Sequence, residues 1–472
     1  MSLLKSIIYC YNKLPLGILN LIAPVYSLLP RKIKYTKVFE NEEKRLKDIS
    51  KLSANEIHVK EDQLLVNLIQ YCYEHVPYYK ELFDNYSINP NDIKHCEDLE
   101  KIPYLTKELL IKNRDKLISN EFSKDNLVYI TTSGSTGTPT GFYVQQDSHF
   151  RDLAYVQYMF SELGYDISSS RLILRGKNFI SQSKGKSWQW DAFKKELSVN
   201  IFDMSDENME KYCCAIERYK PKFAYGYMSA MYSLCKYIKR RPGGLRHKFI
   251  AFIGISEMIL DEQKQFVENI IGAPVKTFYG MSERVAIAKE EEGKYYIQPM
   301  YGIVELIDNK CNVIKNTNIS GEIVGTSLLN YGMPLIRYRM GDMSSWAEND
   351  SKYGIGTEGR VLNKIEGRNK KDVLINCDKQ IVSMASMEIH SDVYNYIERY
   401  QFVQSEVGKV IINVVLYKEY KNNEDILNNI ETVFSKRTQN KIVFNAIEVE
   451  KIPLKKNGKL SIVIQNIDVD KL

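Results

Sequence analysis

The stretch TTSGSTGTPTGF, residues 131 to 142, decides how the rest of this chain is read. Its first eight residues are all Ser, Thr or Gly, and Pro139 fixes its exit. A loop of this kind gathers unobstructed backbone N–H groups and several hydroxyls in one place, and these are the donors that polyphosphate oxygens need. Small side chains also let the backbone come close to such a ligand. Read by itself, the loop is equally compatible with a flexible solvent-facing turn. The decision therefore falls on its surroundings.

Upstream, residues 42–80 read as helix, with Leu64, Leu65, Leu68, Ile69 and Cys72 at helical spacing. Thr106 is placed to cap a helix running through Ile118. Leu127–Thr131 is a short β-prone run, and a second strand starts near Phe142. A helix then runs from Asp147 to Leu163. Beyond it strands (171–174, 223–226, 249–253, 275–279) alternate with helices (229–239, 261–271), a rhythm that predicts an α/β fold with a largely parallel sheet. Residues 302–345 look all-β. After Gly367 comes a new β-α-β unit: strand 409–417, helix 424–436, strand 441–449. The fold class expected is α/β: a large multi-subdomain N-terminal α/β domain over 1–366 with a β-rich third part, and a small α+β C-terminal domain over 367–472. Residues 1–60 form a helical N-terminal extension of the large domain.

Composition sets bounds on function. Of 472 residues, 44% are hydrophobic and 26% charged, which excludes an intrinsically disordered, collagen-like or polytopic membrane protein. Lys plus Arg (65) against Asp plus Glu (59) gives +6, too diffuse a charge to argue for nucleic acid. Eight Cys without a C-x-x-C pair fit reduced thiols in a cytoplasm, and the six His show no metal-ligand spacing. Residues 1–30 are apolar but interrupted by Pro15, Pro24 and Pro30, which argues against a spanning helix. Followed by Arg31, Lys32, Lys34 and Lys37, they suit weak peripheral membrane contact through residues 1–37, or a helix packed on the main domain.

Three familiar motifs fail on context. GIGTEG at 354–359 follows a polar stretch and precedes no helix, so it is a turn and not a dinucleotide fingerprint. Gly185-Lys186-Ser187 lacks the upstream Gly of a Walker A loop, because position 180 is Ile. Gly280-Met281-Ser282 continues into Glu283-Arg284, without the closing Gly of a nucleophile elbow.

The loop at 131–142 resembles the phosphate-binding loop of the adenylate-forming superfamily, which includes acyl-CoA synthetases, adenylation domains and luciferases. Four further segments are similar to that superfamily's motifs in the same order: Tyr279-Gly280-Met281-Ser282-Glu283, Tyr338-Arg339-Met340-Gly341-Asp342, Gly367-Arg368 followed by Lys370, Lys371 and Asp372, and Pro453-x4-Gly458-Lys459. Within it the chain resembles the phenylacetate–CoA ligase branch, particularly members of capsular polysaccharide biosynthesis. The segments carrying this are His75-Val76-Pro77-Tyr78-Tyr79, Ile102 to Lys107, Pro221 to Ser229, and Met333 to Tyr338.

The resemblance implies a reaction of ATP with a carboxylic acid that yields an acyl-adenylate and pyrophosphate, with Mg²⁺. It implies that Thr132, Ser133, Gly134, Ser135, Thr136 and Gly137 cradle the β- and γ-phosphates, with Thr136 also reaching the metal. Glu283 would hold Mg²⁺, a hard ion suited to oxygen ligands. Tyr279 would pack near the adenine, beside Gly280, Met281 and Ser282, while Ser256 and Glu257 would line the nucleotide and acyl pockets. Asp342 would accept from both ribose hydroxyls, Arg368 would sit at the hinge, and Lys459 would bridge carboxylate and α-phosphate in the chemical step. The small domain would be mobile, turning about Lys370, Lys371 or Asp372.

Two departures bear on the product. Cys377-Asp378-Lys379-Gln380 lacks the Gly that usually lines the pantetheine tunnel, which leaves the acceptor open between CoA and an amino or hydroxy sugar. Ala288 to Glu292 offers none of the Cys/His zinc ligands of some relatives, so no zinc is expected there. Arg175, Trp188, Trp190, Tyr225 and Tyr227 fall where the branch builds its acyl pocket, and Arg175 is placed to pair with a second anionic group on the acid. A competing expectation is a degenerate member that serves as a scaffold subunit of a capsule assembly complex.

Overall fold

The computed structural model describes Ile18 and residues 36–132, 140–176, 186–348, 361–365, 373–384, 386–387, 391–453 and 462–468. Residues 37–86 form three helices where one continuous helical stretch over 42–80 was expected: α1 (Lys37–Ile49), α2 (Ala54–His75) and α3 (Pro77–Tyr86). The breaks are local. Ser53 and Glu56 form a reciprocal capping box that starts α2 afresh, and Val76, the residue before Pro77, is held extended. Thr106 caps as expected, accepting from Leu109 N, but α4 (Lys107–Lys112) stops early. Asn113 Nδ2 donates to Leu109 O at 2.9 Å, which ends the helix short of Ile118.

Strands β1 (Leu127–Thr132) and β2 (Thr140–Gln145) pair antiparallel with Thr132 opposite Thr140, so the small-residue loop is the connection of a hairpin. Helix α5 (Ser148–Met159) follows, starting after Asp147. The main sheet then gathers β3 (Arg171–Leu174), β4 (Trp188–Asp191), β5 (Glu196–Val199), β6 (Phe223–Gly226), β7 (Ala251–Gly254), β8 (Val275–Gly280), β9 (Ile287–Glu291), β10 (Lys294–Ile297) and β14 (Val361–Leu362), in the order β14-β10-β9-β8-β7-β6-β3-β5-β4. Its centre, β8-β7-β6-β3-β5, is parallel, as expected; both wings are antiparallel, so the sheet is mixed. Every residue of β3 and β7 is buried, as suits strands covered on both faces. Helices α6 (Asp206–Tyr219), α7 (Met228–Arg240) and α8 (Asp261–Ile271) connect these strands.

The stretch 302–345 folds as a three-stranded antiparallel sheet of β11 (Gly302–Ile307), β12 (Gly321–Ser327) and β13 (Tyr338–Ser344). The C-terminal part holds a β15 (Val373–Ile375) to β16 (Ile381–Ser383) hairpin. It also holds a four-stranded sheet of β17 (Ile397–Glu406), β18 (Lys409–Leu416), β19 (Val443–Glu448) and β20 (Val463–Gln465), packed on helix α9 (Glu424–Arg437). The expected strand–helix–strand unit is there, with β17 added beside it.

Polar pairs dock this part on the large one. Asn200 and Gln439 exchange amide hydrogen bonds of 2.6 and 2.8 Å, and Lys441 Nζ lies 2.9 Å from Asp203. Helix α1 buries Phe39, Leu46 and Ile49 in the same core as Tyr155 and Met159 of α5, so residues 37–49 pack on the main body. The reading of membrane contact falls otherwise on residues 1–35, outside the described residues apart from Ile18. Among the described residues no helix is long and apolar enough to cross a membrane.

Candidate active site

The site is assembled by segments far apart in sequence. Tyr79, from the His75–Tyr79 segment, donates from its hydroxyl to Pro334 O at 3.1 Å and accepts from Ile336 N at 2.8 Å, fixing the Met333–Tyr338 segment from below. Leu105, from the Ile102–Lys107 segment, donates to Arg337 O and accepts from Arg339 N, both at 3.0 Å. The Arg337 guanidinium is nearly sealed from solvent. It bonds both oxygens of Glu305 at 2.7 and 3.0 Å and Ile102 O at 2.6 Å, and stacks 4.0 Å from the Tyr104 ring. Four recognisable motifs thus meet at the start of β13.

Strand β13 then departs from regular pairing. Val324 faces Arg339 but Glu322 faces Met343, so β13 carries extra residues in a bulge. Gly341 lies in the bulge at φ +80°, a conformation that suits glycine, and its N–H donates to Glu322 Oε1 at 3.2 Å. Glu322 also pairs with the Arg339 guanidinium. The bulge turns the next side chain, Asp342, toward the end of β8. There the Tyr279 hydroxyl donates to Asp342 Oδ2 at 2.7 Å. Burial, then the Asp342 charge, pushes the Tyr279 phenol well above its usual range, so it stays a donor.

Glu283 follows within one turn of chain and is buried, with Tyr279 and Tyr338 both feeling its charge. Between Tyr279 and Glu283, Gly280 is exposed while Met281 and Ser282 are half-buried. Ser256 is exposed with φ +60°, at the end of the neighbouring strand β7. Glu257 caps α7: its two oxygens accept from Ser229 N and Ser229 Oγ, each at 2.8 Å. The Pro221–Ser229 segment is tight for a further reason. A Cβ on Gly226 would sit 2.1 Å from Leu174 O, so only glycine lets β6 and β3 close there.

Tyr279, Gly280, Met281, Ser282, Glu283 and Asp342 are brought together, and Ser256 and Glu257 lie one strand away at the same carboxyl edge of the parallel strands, where ligands of open α/β sheets bind. Thr132 ends β1 at the mouth of the hairpin loop. Ser133, Gly134, Ser135, Thr136, Gly137, Arg368, Lys370, Lys371, Asp372 and Lys459 lie outside the described residues. The turn expected to need glycine is built without it: Lys379 takes φ +59°, and Asn376 Oδ1 holds the turn by accepting from Asp378 N and Gln380 N at 3.0 and 2.8 Å.

Chemically, Asp342 is a carboxylate with two acceptor oxygens, one of them bonded by Tyr279, and Glu283 is a buried hard-oxygen donor of the kind that suits a Mg²⁺ ion carried by a polyphosphate. Sequence reasoning missed the Arg337–Glu305 pair, which has no local signature. It also missed a buried pairing of Arg284 with Asp152 across α5, at 2.8 Å. The fold brings ligand atoms of His58, Asp62 and Cys96 within 4.8 Å of one another, although Asp62 is already engaged by Cys96 N and His95 Nδ1, both at 2.8 Å.

Known proteins are similar to this chain along most of its length. Residues 374–466 match the CapK C-terminal domain model. The chain is 25% identical to Protein CapK of Staphylococcus aureus over 463 residues, covering 97% of this chain and 99% of that one. It is 23% identical to the phenylacetate-coenzyme A ligase of Escherichia coli (strain K12) over 342 residues, 70% of this chain and 75% of the enzyme. Its fold is shared with a crystal structure of 2-hydroxyisobutyryl-CoA ligase in the postadenylation state, with a TM-score of 0.54 and 16% identity over 90% of this chain and 92% of that one.

Proposed function

We propose that this chain, related by sequence to CapK and to the phenylacetate–coenzyme A ligases, is an ATP-dependent, AMP-forming acid ligase. It converts a small-molecule carboxylic acid and ATP to an acyl-adenylate and pyrophosphate. The observation that carries the reading is the joining of two distant motifs: Asp342 on the β13 bulge is bonded to Tyr279 at the tip of β8, with buried Glu283 alongside.

In the reaction a carboxylate oxygen of the acid attacks the α-phosphorus. One O–P bond forms, the bond to the bridging oxygen breaks, and pyrophosphate leaves. Such a transfer depends on positioning and charge neutralisation more than on proton transfer. Asp342 receives the ribose hydroxyls, and Tyr279 holds Asp342 in register and flanks the adenine. Glu283, with Thr136, would hold the Mg²⁺ that accompanies ATP, and the ion would supply charge neutralisation of the phosphates. Thr132 to Gly137 wrap the β- and γ-phosphates. Ser256 and Glu257 line the nucleotide and acyl pockets, with Glu257 also capping α7. Arg368 and Lys459 come from the C-terminal part, residues 367–472, with Lys459 the ammonium that follows charge from carboxylate to phosphate.

The acyl group then passes to CoA, or to an amine or hydroxyl of a sugar. The CapK kinship supports a place in cell-surface polysaccharide biosynthesis, in the cytoplasm or at its membrane face. Hydroxylamine trapping of the adenylate, followed by addition of CoA or amino sugars in place of hydroxylamine, tests both half-reactions. ATP-dependent hydroxamate formation supports the ligase. ATP binding without hydroxamate from any acid would leave a scaffold role.

A further inference from the structure

Beside the nucleotide edge two guanidiniums, Arg284 and Arg175, lie close to His149 and Asp152 of α5 and Tyr225 of β6. Arg284 follows Glu283 directly and is held at φ +57°. Its residue exposure is only 8%, and its Nε lies 2.8 Å from Asp152 Oδ2. Asp152 is a residue of α5 whose other oxygen accepts from the Tyr301 hydroxyl at 2.8 Å. The terminal Nη1 of Arg284 is buried and has no hydrogen-bond partner among the described residues. A buried guanidinium N–H without an acceptor is costly, and a bound water, ion or ligand is one way such a group is completed.

The surroundings explain which ligand. Arg175, just past the carboxyl end of β3, acts on both His149 of α5 and Tyr225 of β6, and Arg284 acts on His149 as well. Burial first, then the Arg284 and Arg175 guanidiniums, lowers the His149 imidazole below its ordinary value. His149, Asp152 and Tyr225 keep some solvent contact yet suffer strong desolvation, as residues of a cleft wall do. Arg284, next in chain to Glu283, is thus paired with Asp152, and Arg175, at the carboxyl end of β3, reaches the same His149 ring.

Building on the ligase reading, we propose that this cleft binds the acyl part of the acid and that the acid carries a second anionic group, seated against Arg284 Nη1 and Arg175. The shared chemistry is a carboxylate or phosphate remote from the carboxylate that is activated. A planar guanidinium offers such a group two parallel N–H donors.

The test uses the full chain and matched acids: butanoate with succinate, benzoate with isophthalate, and gluconate with glucarate, plus glycolate with 2-phosphoglycolate. Binding is measured by calorimetry in the presence of Mg²⁺ and a non-hydrolysable ATP analogue, and hydroxamate formation is measured in parallel. At least one dianionic acid is expected to bind about 10- to 100-fold tighter than its partner, the scale of one charge-assisted contact. Arg284→Met is expected to reduce that preference to within about threefold. Because Arg284→Met also strands Asp152, Arg175→Met is run as a second variant, and it is expected to cut the preference without loss of the folded state. Equal binding within every pair, or a preference that survives both substitutions, overturns the proposal. Preferential diacid binding without hydroxamate would leave the cleft standing and overturn the ligase reading instead.

Discussion

The Tyr279 hydroxyl donates a 2.7 Å hydrogen bond to Asp342 Oδ2, joining the tip of a parallel strand in the main sheet to a bulge in a separate antiparallel sheet. Neither side chain could be placed against the other by its own strand alone. The bulge at Gly341 aims Asp342, and the end of β8 aims Tyr279.

Replacing Tyr279 by Phe removes this bond while keeping the ring. A hydrogen bond to a charged group contributes about 1.5–3 kcal/mol, so KM for ATP is expected to rise roughly tenfold. If Asp342 receives the ribose, kcat changes much less than KM. Steady-state kinetics of Tyr279→Phe against varied ATP measure the split; a large fall in kcat with an unchanged KM would argue that Tyr279 acts elsewhere.

Arg337 and Glu305 form a buried pair on which the motif segments converge. Burial raises the Glu305 carboxyl and Arg337 opposes that rise. Arg337→Met strands Glu305 and is expected to cost about 3–5 kcal/mol of stability. Denaturant titration of the variant checks this, and a loss within experimental error of zero would mean the site's framework is held by other contacts.

Stability should also fall in acid through the α6–α7 network. The Arg241 guanidinium, with help from the Tyr237 hydroxyl, holds the Glu210 carboxyl down at about 2. A depressed carboxyl contributes stability above its unfolded pKa of about 4.3, and loses it as pH falls toward the folded value. Glu210 is largely solvent-facing, so screening limits the effect to about 1 kcal/mol or less. Between pH 4.5 and 2, the wild type is expected to lose more stability than Glu210→Gln, by thermal melts at stepped pH. Parallel pH profiles would remove Glu210 from the account.

Lys459→Ala is expected to lower adenylate formation by about 10²- to 10³-fold, the scale for losing one preorganised charge at a transition state. ATP affinity, measured by calorimetry, should stay within a few-fold. Normal adenylation by this variant would remove Lys459 from the chemical step.

Much of this architecture is legible in the sequence because its signals are local. Strands β3, β6 and β7 are short apolar runs bounded by polar or glycine residues, and buried parallel strands read that way. The wings were not legible. β17, IERYQFVQSE, sets Glu398, Arg399 and Glu406 around a buried centre and so breaks the alternation, and β9 carries Glu291, which pairs with Lys276 of β8 and Lys289 of its own strand. The motif residues Tyr279, Glu283 and Asp342 could be picked out singly, but their convergence depends on a bulge and on Tyr79 and Leu105, which no local pattern connects to them. Lys379 teaches a related point: a left-handed turn position does not require glycine when a neighbour such as Asn376 supplies the compensating hydrogen bonds.

The most direct test of the central claim is carboxylate-dependent ATP–pyrophosphate exchange, run with Mg²⁺ on the full chain and on Glu283→Gln. The account predicts exchange above the no-acid blank with at least one class of acid, and its loss in the variant. Exchange absent with every class of acid, or undiminished in Glu283→Gln, would contradict it.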